Sequence, residues 1–167
     1  GLSGTCQSAH LAKKELKQKF PGRRVEVFDS LCASMGEGLL VYHAAMRKKA
    51  GASLDEVLAW LKENVLHLCH WFTVDDLNHL KRGGRVSTAT ALVGTMLGIK
   101  PVLHVDDEGH LIPVSKVRGR KQSLDALVKK MEETAIDPQD QVVFISHGDC
   151  LEDARYVAKQ VKEKLGA

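Results

Sequence analysis

The sequence predicts an α/β fold. Three observations carry that prediction. Stretches with helical apolar spacing alternate with short β-branched runs. Breakers such as Pro21-Gly22, Gly51, Gly109 and Gly119 fall between them. The first half reads α-β-α-α-β and the second helix-β-β-α-β-α, an order that fits part of a parallel sheet covered by helices. A break near Phe72–Thr73 divides the chain into two α/β lobes, residues 1–71 and 72–167.

Gly4 to Gln18 reads as a helix capped by Ser3 or Thr5, with Leu2, Ala9, Ala12 and Leu16 as its apolar stripe. Arg24 to Phe28 alternates polar with apolar and reads as a strand. Asp29 stands at its carboxyl end, where ligands gather in open α/β sheets. It is therefore a site-lining candidate, beside an ordinary turn role. Met35 to Lys49 is a second helix. Ser53 and Glu56 form a capping box that opens a third, with Leu54, Val57, Leu58 and Leu61 at helical spacing. Leu66 to Phe72 reads as the next strand. A loop-like Gly/Ser sequence opens the chain and leads straight into a helix. Such a stretch ordinarily follows a strand, so the first lobe is expected to be incomplete, with an open sheet edge.

In the second lobe, Thr73–Leu77 caps a short helix. Ala89 to Ile99 is small and apolar. Lys100–Val105 and Leu111–Val117 are strands joined by a hairpin turn at Asp106-Asp107-Glu108-Gly109. Ser123 to Thr134 is an amphipathic helix, Gln141 to Ile145 a buried strand, and Leu151 to Leu165 the last helix.

The stretch Leu80-Lys81-Arg82-Gly83-Gly84-Arg85-Val86-Ser87 stands out chemically. A Gly-Gly pair can turn tightly and expose its N–H groups. Ser87 is placed to cap the helix that Thr88–Leu97 suggests. With Arg82 and Arg85, the loop reads as a cradle for a carboxylate or phosphate, beside the plainer reading of a solvated basic turn. His147, after a buried strand, is either an acid, base or carboxylate partner or a histidine satisfied by neighbouring backbone. Ser3 lacks a nucleophile elbow and any ordered acid–base pair, so it is not read as catalytic. It reads as an anion-binding hydroxyl or a plain cap. Arg118-Gly119-Arg120-Lys121 is an exposed basic corner, either solvated or docking an acidic partner.

The 167 residues are 44% hydrophobic and 27% charged, an ordinary globular composition. A net charge of +3, basic residues that read as scattered and few aromatics argue against nucleic acid. No apolar run approaches a membrane span, so stable membrane anchoring is not expected. Cys6, Cys32, Cys69 and Cys150 form no close pair, which fits reduced thiols packed as small core residues in the cytoplasm. The eight histidines form no metal set. No metal and no cofactor are expected.

Several motifs together resemble the DegV family. They are Leu2-Ser3-Gly4-Thr5 with Gln7-Ser8-Ala9, Val27-Phe28-Asp29-Ser30, Phe72–Leu77, Leu80–Ser87, Ile99–Leu103, Lys116-Val117-Arg118-Gly119 and Ser146–Asp149. The resemblance implies two α/β lobes of DegV type, here truncated at both ends, holding one long-chain fatty acid in an apolar tunnel. It implies a bacterial carrier, not an enzyme, that presents the fatty-acid carboxylate to a separate kinase subunit for acyl-phosphate formation. Carried over by motif, Ser3, Gly4 and Thr5 bind the carboxylate, Arg82 and Arg85 lie near it, and Arg118 docks the kinase. Cys6 stands where an aromatic is common in the family. The family's leading threonine loop and its trailing His-x-Gly-Pro-Gly motif have no counterpart in these residues. An enzyme or binding protein for a phosphorylated small molecule, using the Arg82–Arg85 loop, is the alternative.

Overall fold

The computed structural model describes residues 2–87 and 98–167. Helices α1 (Thr5–Lys19), α2 (Ser34–Lys49) and α3 (Leu54–Asn64) come first. Strand β1 (Trp71–Thr73), helix α4 (Leu77–Arg82) and the strands β2 (Ile99–Val105) and β3 (Leu111–Arg118) follow. Helices α5 (Arg120–Thr134) and α6 (Leu151–Leu165) close the order. The expected helix over Thr88–Leu97, and the Ser87 cap it needs, lie outside the described residues.

Local chemistry sets several of these boundaries. The Ser53 hydroxyl accepts the Glu56 N–H at 3.3 Å, and the Glu56 carboxylate accepts the Ser53 N–H at 2.7 Å. This is the expected capping box, and it fixes the start of α3. The Asp76 carboxylate accepts the Asn78 N–H at 2.8 Å and caps α4. At the hairpin, the Asp106 carboxylate accepts the N–H groups of Glu108 at 3.0 Å and His110 at 2.7 Å. Gly109 completes that turn at φ +79°.

The sheet runs β1-β2-β3, and both ladders are antiparallel. The parallel arrangement expected from the element order is therefore not found among the described residues. β2 and β3 are a hairpin, and β1 joins the free side of β2 with Trp71 opposite His104, their rings stacked at 4.9 Å. Val102 faces Ser115 and Leu103 faces Pro113, so Val114 is an extra, bulged residue. Pro113 sits on β3, an edge strand of this sheet, where proline is tolerated.

Three expected strands change. Residues 24–28 and 141–145 form no regular secondary structure and join no ladder among the described residues. Their alternation was legible, but a strand also needs a partner edge. The run Leu66–Phe72 begins instead as a 3₁₀ turn over Val65–His67, and only Trp71–Thr73 pairs with β2. β1 thus crosses the division expected between residues 71 and 72.

Two cores hold the described chain. Leu103, fully buried, packs with Leu77 against Phe72, Val74 and Leu80. Leu124 and Val128 of α5 pack against Val157 and Val161 of α6, with Val143 added from the segment 141–145. The next residue, Phe144, meets the Tyr42 ring of α2 edge-on at 5.6 Å. The Ser146 and Ser34 hydroxyls lie 3.1 Å apart. Helix α1 buries none of its residues, and Leu16 of its expected stripe is exposed, as is Phe20 just past its end.

Gly36, in the first turn of α2, touches His70 closely. A Cβ there would stand 2.7 Å from His70 Nδ1 and 3.1 Å from Cys32 Cβ. Alanine favours a helix by about 1 kcal/mol over glycine, but overpacking costs about 1–3 kcal/mol. Gly36→Ala is therefore expected to lower the free energy of unfolding in a denaturant titration. A more stable variant would mean that the His70 ring yields freely.

Candidate functional site

The expected carboxylate-binding residues begin at the start of α1. The Ser3 hydroxyl accepts the Thr5 N–H at 3.3 Å and donates to the Thr5 hydroxyl at 2.9 Å. Gly4 is the N-cap, and it has no side chain with which to cap the helix. Ser3, Gly4 and Thr5 are all exposed. The helix start therefore presents two hydroxyls and the positive end of a fifteen-residue helix.

Asp29 lies against this same turn. Partial burial raises the Cys6 thiol above its ordinary value, and the Asp29 charge and hydrogen bond raise it further. The Asp29 carboxylate also accepts the Leu31 N–H at 3.1 Å, the turn role read as one alternative. Leu31 and Ser34 both hold φ +51°. They bend the chain from Asp29 into α2, where Ser34 meets Ser146. Cys32 is half-buried in this bend, and that burial, with Glu37 and Asp29, pushes its thiol up to about 11. The same meeting places His147 beside the site-lining loop. Its Nδ1 accepts the Cys150 N–H at 3.2 Å, so that nitrogen carries no proton and Nε2 is the donor.

The Arg82–Arg85 loop differs from its expected form. The Gly84 N–H bonds the Lys81 carbonyl at 2.9 Å, and the Arg85 N–H bonds the Leu80 carbonyl at 2.9 Å. Gly84 sits at φ +73° while Gly83 does not need glycine's freedom. This is a Schellman closure of α4. The Gly83, Gly84 and Arg85 amides thus face the helix's own carbonyls and are not free for an anion. The arginine side chains stand beside them. Arg85 donates to the Gly83 carbonyl. Among the described residues, no hydrogen bond or ion pair joins Arg82 or Arg85 to Ser3.

The basic corner also divides. Arg118 ends β3 and is exposed. Gly119, at φ +97°, then turns the chain. Arg120 points inward: its Nε lies 2.7 Å from Asp153 and its Nη1 3.9 Å from Asp75. Lys121 pairs with Asp125 at 3.1 Å. The corner read as four exposed residues is one exposed arginine beside an ion-paired one. Among the described residues no group of His, Cys, Asp or Glu could hold a metal ion, and no helix is long and apolar enough to cross a membrane.

A family model described as an uncharacterised protein of the DegV family matches residues 1–167. The chain belongs to the DegV family. It is 47% identical over 163 residues to a DegV domain-containing protein of Clostridium perfringens, covering 98% of this chain and 56% of that one. Among solved structures, it resembles a DegV-family protein of Ruminococcus gnavus with vaccenic acid at 27% identity and a TM-score of 0.87, covering 98% of this chain and 58% of that one. It shares the fold of the Streptococcus pneumoniae Fatty Acid Kinase (Fak) B3 protein loaded with linoleic acid, with a TM-score of 0.88 at 23% identity over 99% of this chain and 58% of that one. The chain spans a little over half the length of the curated relatives it matches.

In this DegV chain, sequence reasoning passed over Ser34 and Asp153, and read Arg120 only as part of the exposed basic corner. Asp75 was legible as part of a cap, yet it pairs with Lys100 at 2.7 Å. The signal for Arg120 was Gly119: a glycine after a strand lets the next side chain turn away from the strand's exposed face. Cys69 is exposed, contrary to a core role, because the strand expected around it gives way to a 3₁₀ turn.

His70 gives the DegV chain a pH dependence. Its Nδ1 is buried without a hydrogen-bond partner among the described residues. Burial holds its pKa below the ordinary histidine value. The unfolded chain therefore takes up a proton below about pH 6.5 that the folded chain refuses, and stability falls as pH drops through that value toward the depressed one. Melting temperatures at pH 7.5 and 5.5 should differ less for His70→Phe than for the wild type. Equal differences would show that His70 is not the group responsible.

Proposed function

We propose that this chain is part of a bacterial carrier that binds one long-chain fatty acid and works in the cytoplasm with a separate fatty-acid kinase subunit. The observation that carries the reading is the DegV match along the whole chain, with a solved relative above a quarter identity that holds vaccenic acid. The geometry suits a carboxylate. Ser3 and Thr5 supply hydroxyls at a helix N-terminus, and the Arg82 and Arg85 side chains supply positive charge. The Schellman closure removes the backbone cradle that a phosphate reading would have used. Ile112 and Val114 of β3 are exposed apolar side chains on a strand beside buried β2, which suits them to an acyl chain.

The chemistry asked of such a chain is binding and presentation. No catalytic residue is assigned, and acyl-phosphate formation belongs to the kinase subunit. Arg118 is an exposed cation at the end of β3, placed to meet an acidic surface on that subunit. The likeness to the pneumococcal protein is one of fold, and its name associates that fold with a fatty-acid kinase.

Native mass spectrometry before and after denaturing extraction tests the carrier reading. A released fatty-acid mass is expected from the wild type. Ser3→Ala and Arg85→Ala should each weaken binding of added oleate, roughly ten-fold for one lost hydrogen bond to a charged group. A chain that releases no fatty acid and gains no stability from oleate would sink the reading. With a fatty-acid kinase subunit added, Arg118→Ala should lower acyl-phosphate formation; an unchanged rate would remove Arg118 from the docking surface.

A further inference from the structure

We infer that Arg120 is a positioning residue that holds the Arg82–Arg85 loop and the Ser146–Cys150 loop in one fixed relation, so that both sides of the head-group site face one carboxylate. The inference rests on the fatty-acid reading for its purpose, but the coupling itself rests on the contacts around one guanidinium.

Arg120 opens α5 immediately after Gly119, whose φ of +97° no ordinary side chain adopts readily. From there it reaches in two directions. Toward α6, its Nε donates to Asp153 at 2.7 Å and its Nη2 lies 3.7 Å from the Cys150 sulfur. Cys150 is the N-cap of α6, and its N–H donates to His147 Nδ1 at 3.2 Å. One link therefore separates Arg120 from the His147 ring. Toward β1, Nη1 lies 3.9 Å from Asp75 Oδ1, the oxygen that also holds Lys100 at 2.7 Å. Asp76 follows directly and caps α4, a helix of six residues that ends at Arg82. One short, capped helix separates Arg120 from the arginine loop.

The guanidinium suits this work. It is planar, permanently charged and carries five donors in a fixed fork, so its two arms keep a constant angle. Asp153 lies in the first turn of α6, where a carboxylate is already favoured by the helix dipole. Nη1 is buried and has no hydrogen bond among the described residues. At 3.9 Å from Asp75 it is paired by charge, and an approach of about 1 Å would make it a hydrogen bond.

The test uses the whole chain and two readouts. The first is the ¹⁵N–¹H spectrum of the His147 ring in the absence of added lipid. Asp75→Asn alters an exposed carboxylate on the far side of Arg120. It is expected to shift the His147 ring resonances in the wild-type background and to leave them unmoved in Arg120→Met. A merely structural Arg120 would not transmit that change. The second readout is oleate affinity, by displacement of a fluorescent fatty acid. Arg120→Met should weaken oleate about ten-fold, and the double variant Asp75→Asn/Arg120→Met should be no weaker than Arg120→Met alone, because groups in one network do not add. Should Arg120→Met fail to fold, Asp75→Asn and Asp153→Asn replace it, and each must shift the His147 ring. Additive losses, or a His147 ring indifferent to Asp75, overturn the coupling. A wild type that binds no oleate overturns the carrier reading instead, while the His147 response still decides whether Arg120 joins the loops.

Discussion

The described fold depends on one segment, residues 141–146, that touches two groups of helices. Val143 packs against the α5–α6 core while the next residue, Phe144, meets Tyr42 of α2. Gly38 of α2 lies beside this contact: a Cβ there would press within 3.1 Å of Met35 and stand in ordinary contact with Phe144. Ser146 meets Ser34. These contacts hold the segment without any ladder hydrogen bond among the described residues.

That seam gathers two loops that carry residues of the proposed site. Ser34 begins α2 and Ser146 precedes His147, so the contact brings two loops from distant parts of the chain to one place. Both loops hold non-glycine residues in the left-handed region: Leu31 and Ser34 at φ +51°, and Asp149 at φ +58°. Such residues are uncommon and persist where surrounding contacts over-determine them. Here the contacts are named. Asp29 holds the Leu31 N–H, Ser30 holds the Cys32 N–H at 3.4 Å, and His147 holds the Cys150 N–H. Short polar side chains thus fix the backbone of both loops locally, and the hydroxyl contact fixes them to each other.

Much of the helical part was legible in the residues. The Ser53–Glu56 capping box, the end of α1 before Pro21 and the span of α6 follow from local chemistry that acts over a few positions. The α/β class followed in the same way. Strand pairing was less legible, because a ladder is a relation between distant segments. Arg24–Phe28 and Gln141–Ile145 carry strand alternation but find no partner edge among the described residues, while Trp71–Thr73 pairs through β2, which begins 26 positions later. Side-chain direction was the least legible. Arg118 and Arg120 look alike in the sequence, and only Gly119 between them sends one to solvent and the other to Asp153.

The electrostatic arrangement suits the proposed site to an anionic ligand. Cations that hold the fold are committed to carboxylates: Lys100 to Asp75, Arg120 to Asp153, Lys121 to Asp125, and Arg24 to Asp55 through two hydrogen bonds of 2.9 and 2.7 Å. Arg82 and Arg118 make no such pair among the described residues, and Arg85 bonds only a neighbouring carbonyl. An arginine already locked to a carboxylate would have to break that pair before accepting a fatty-acid head group, and the exchange would gain little. An arginine held at the end of a closed helix, with its charge uncommitted, loses only water on meeting the ligand. The Schellman closure of α4 therefore does two things at once. It satisfies carbonyls at the end of the helix, and it leaves the Arg82 and Arg85 side chains, in the proposed site, able to follow a carboxylate.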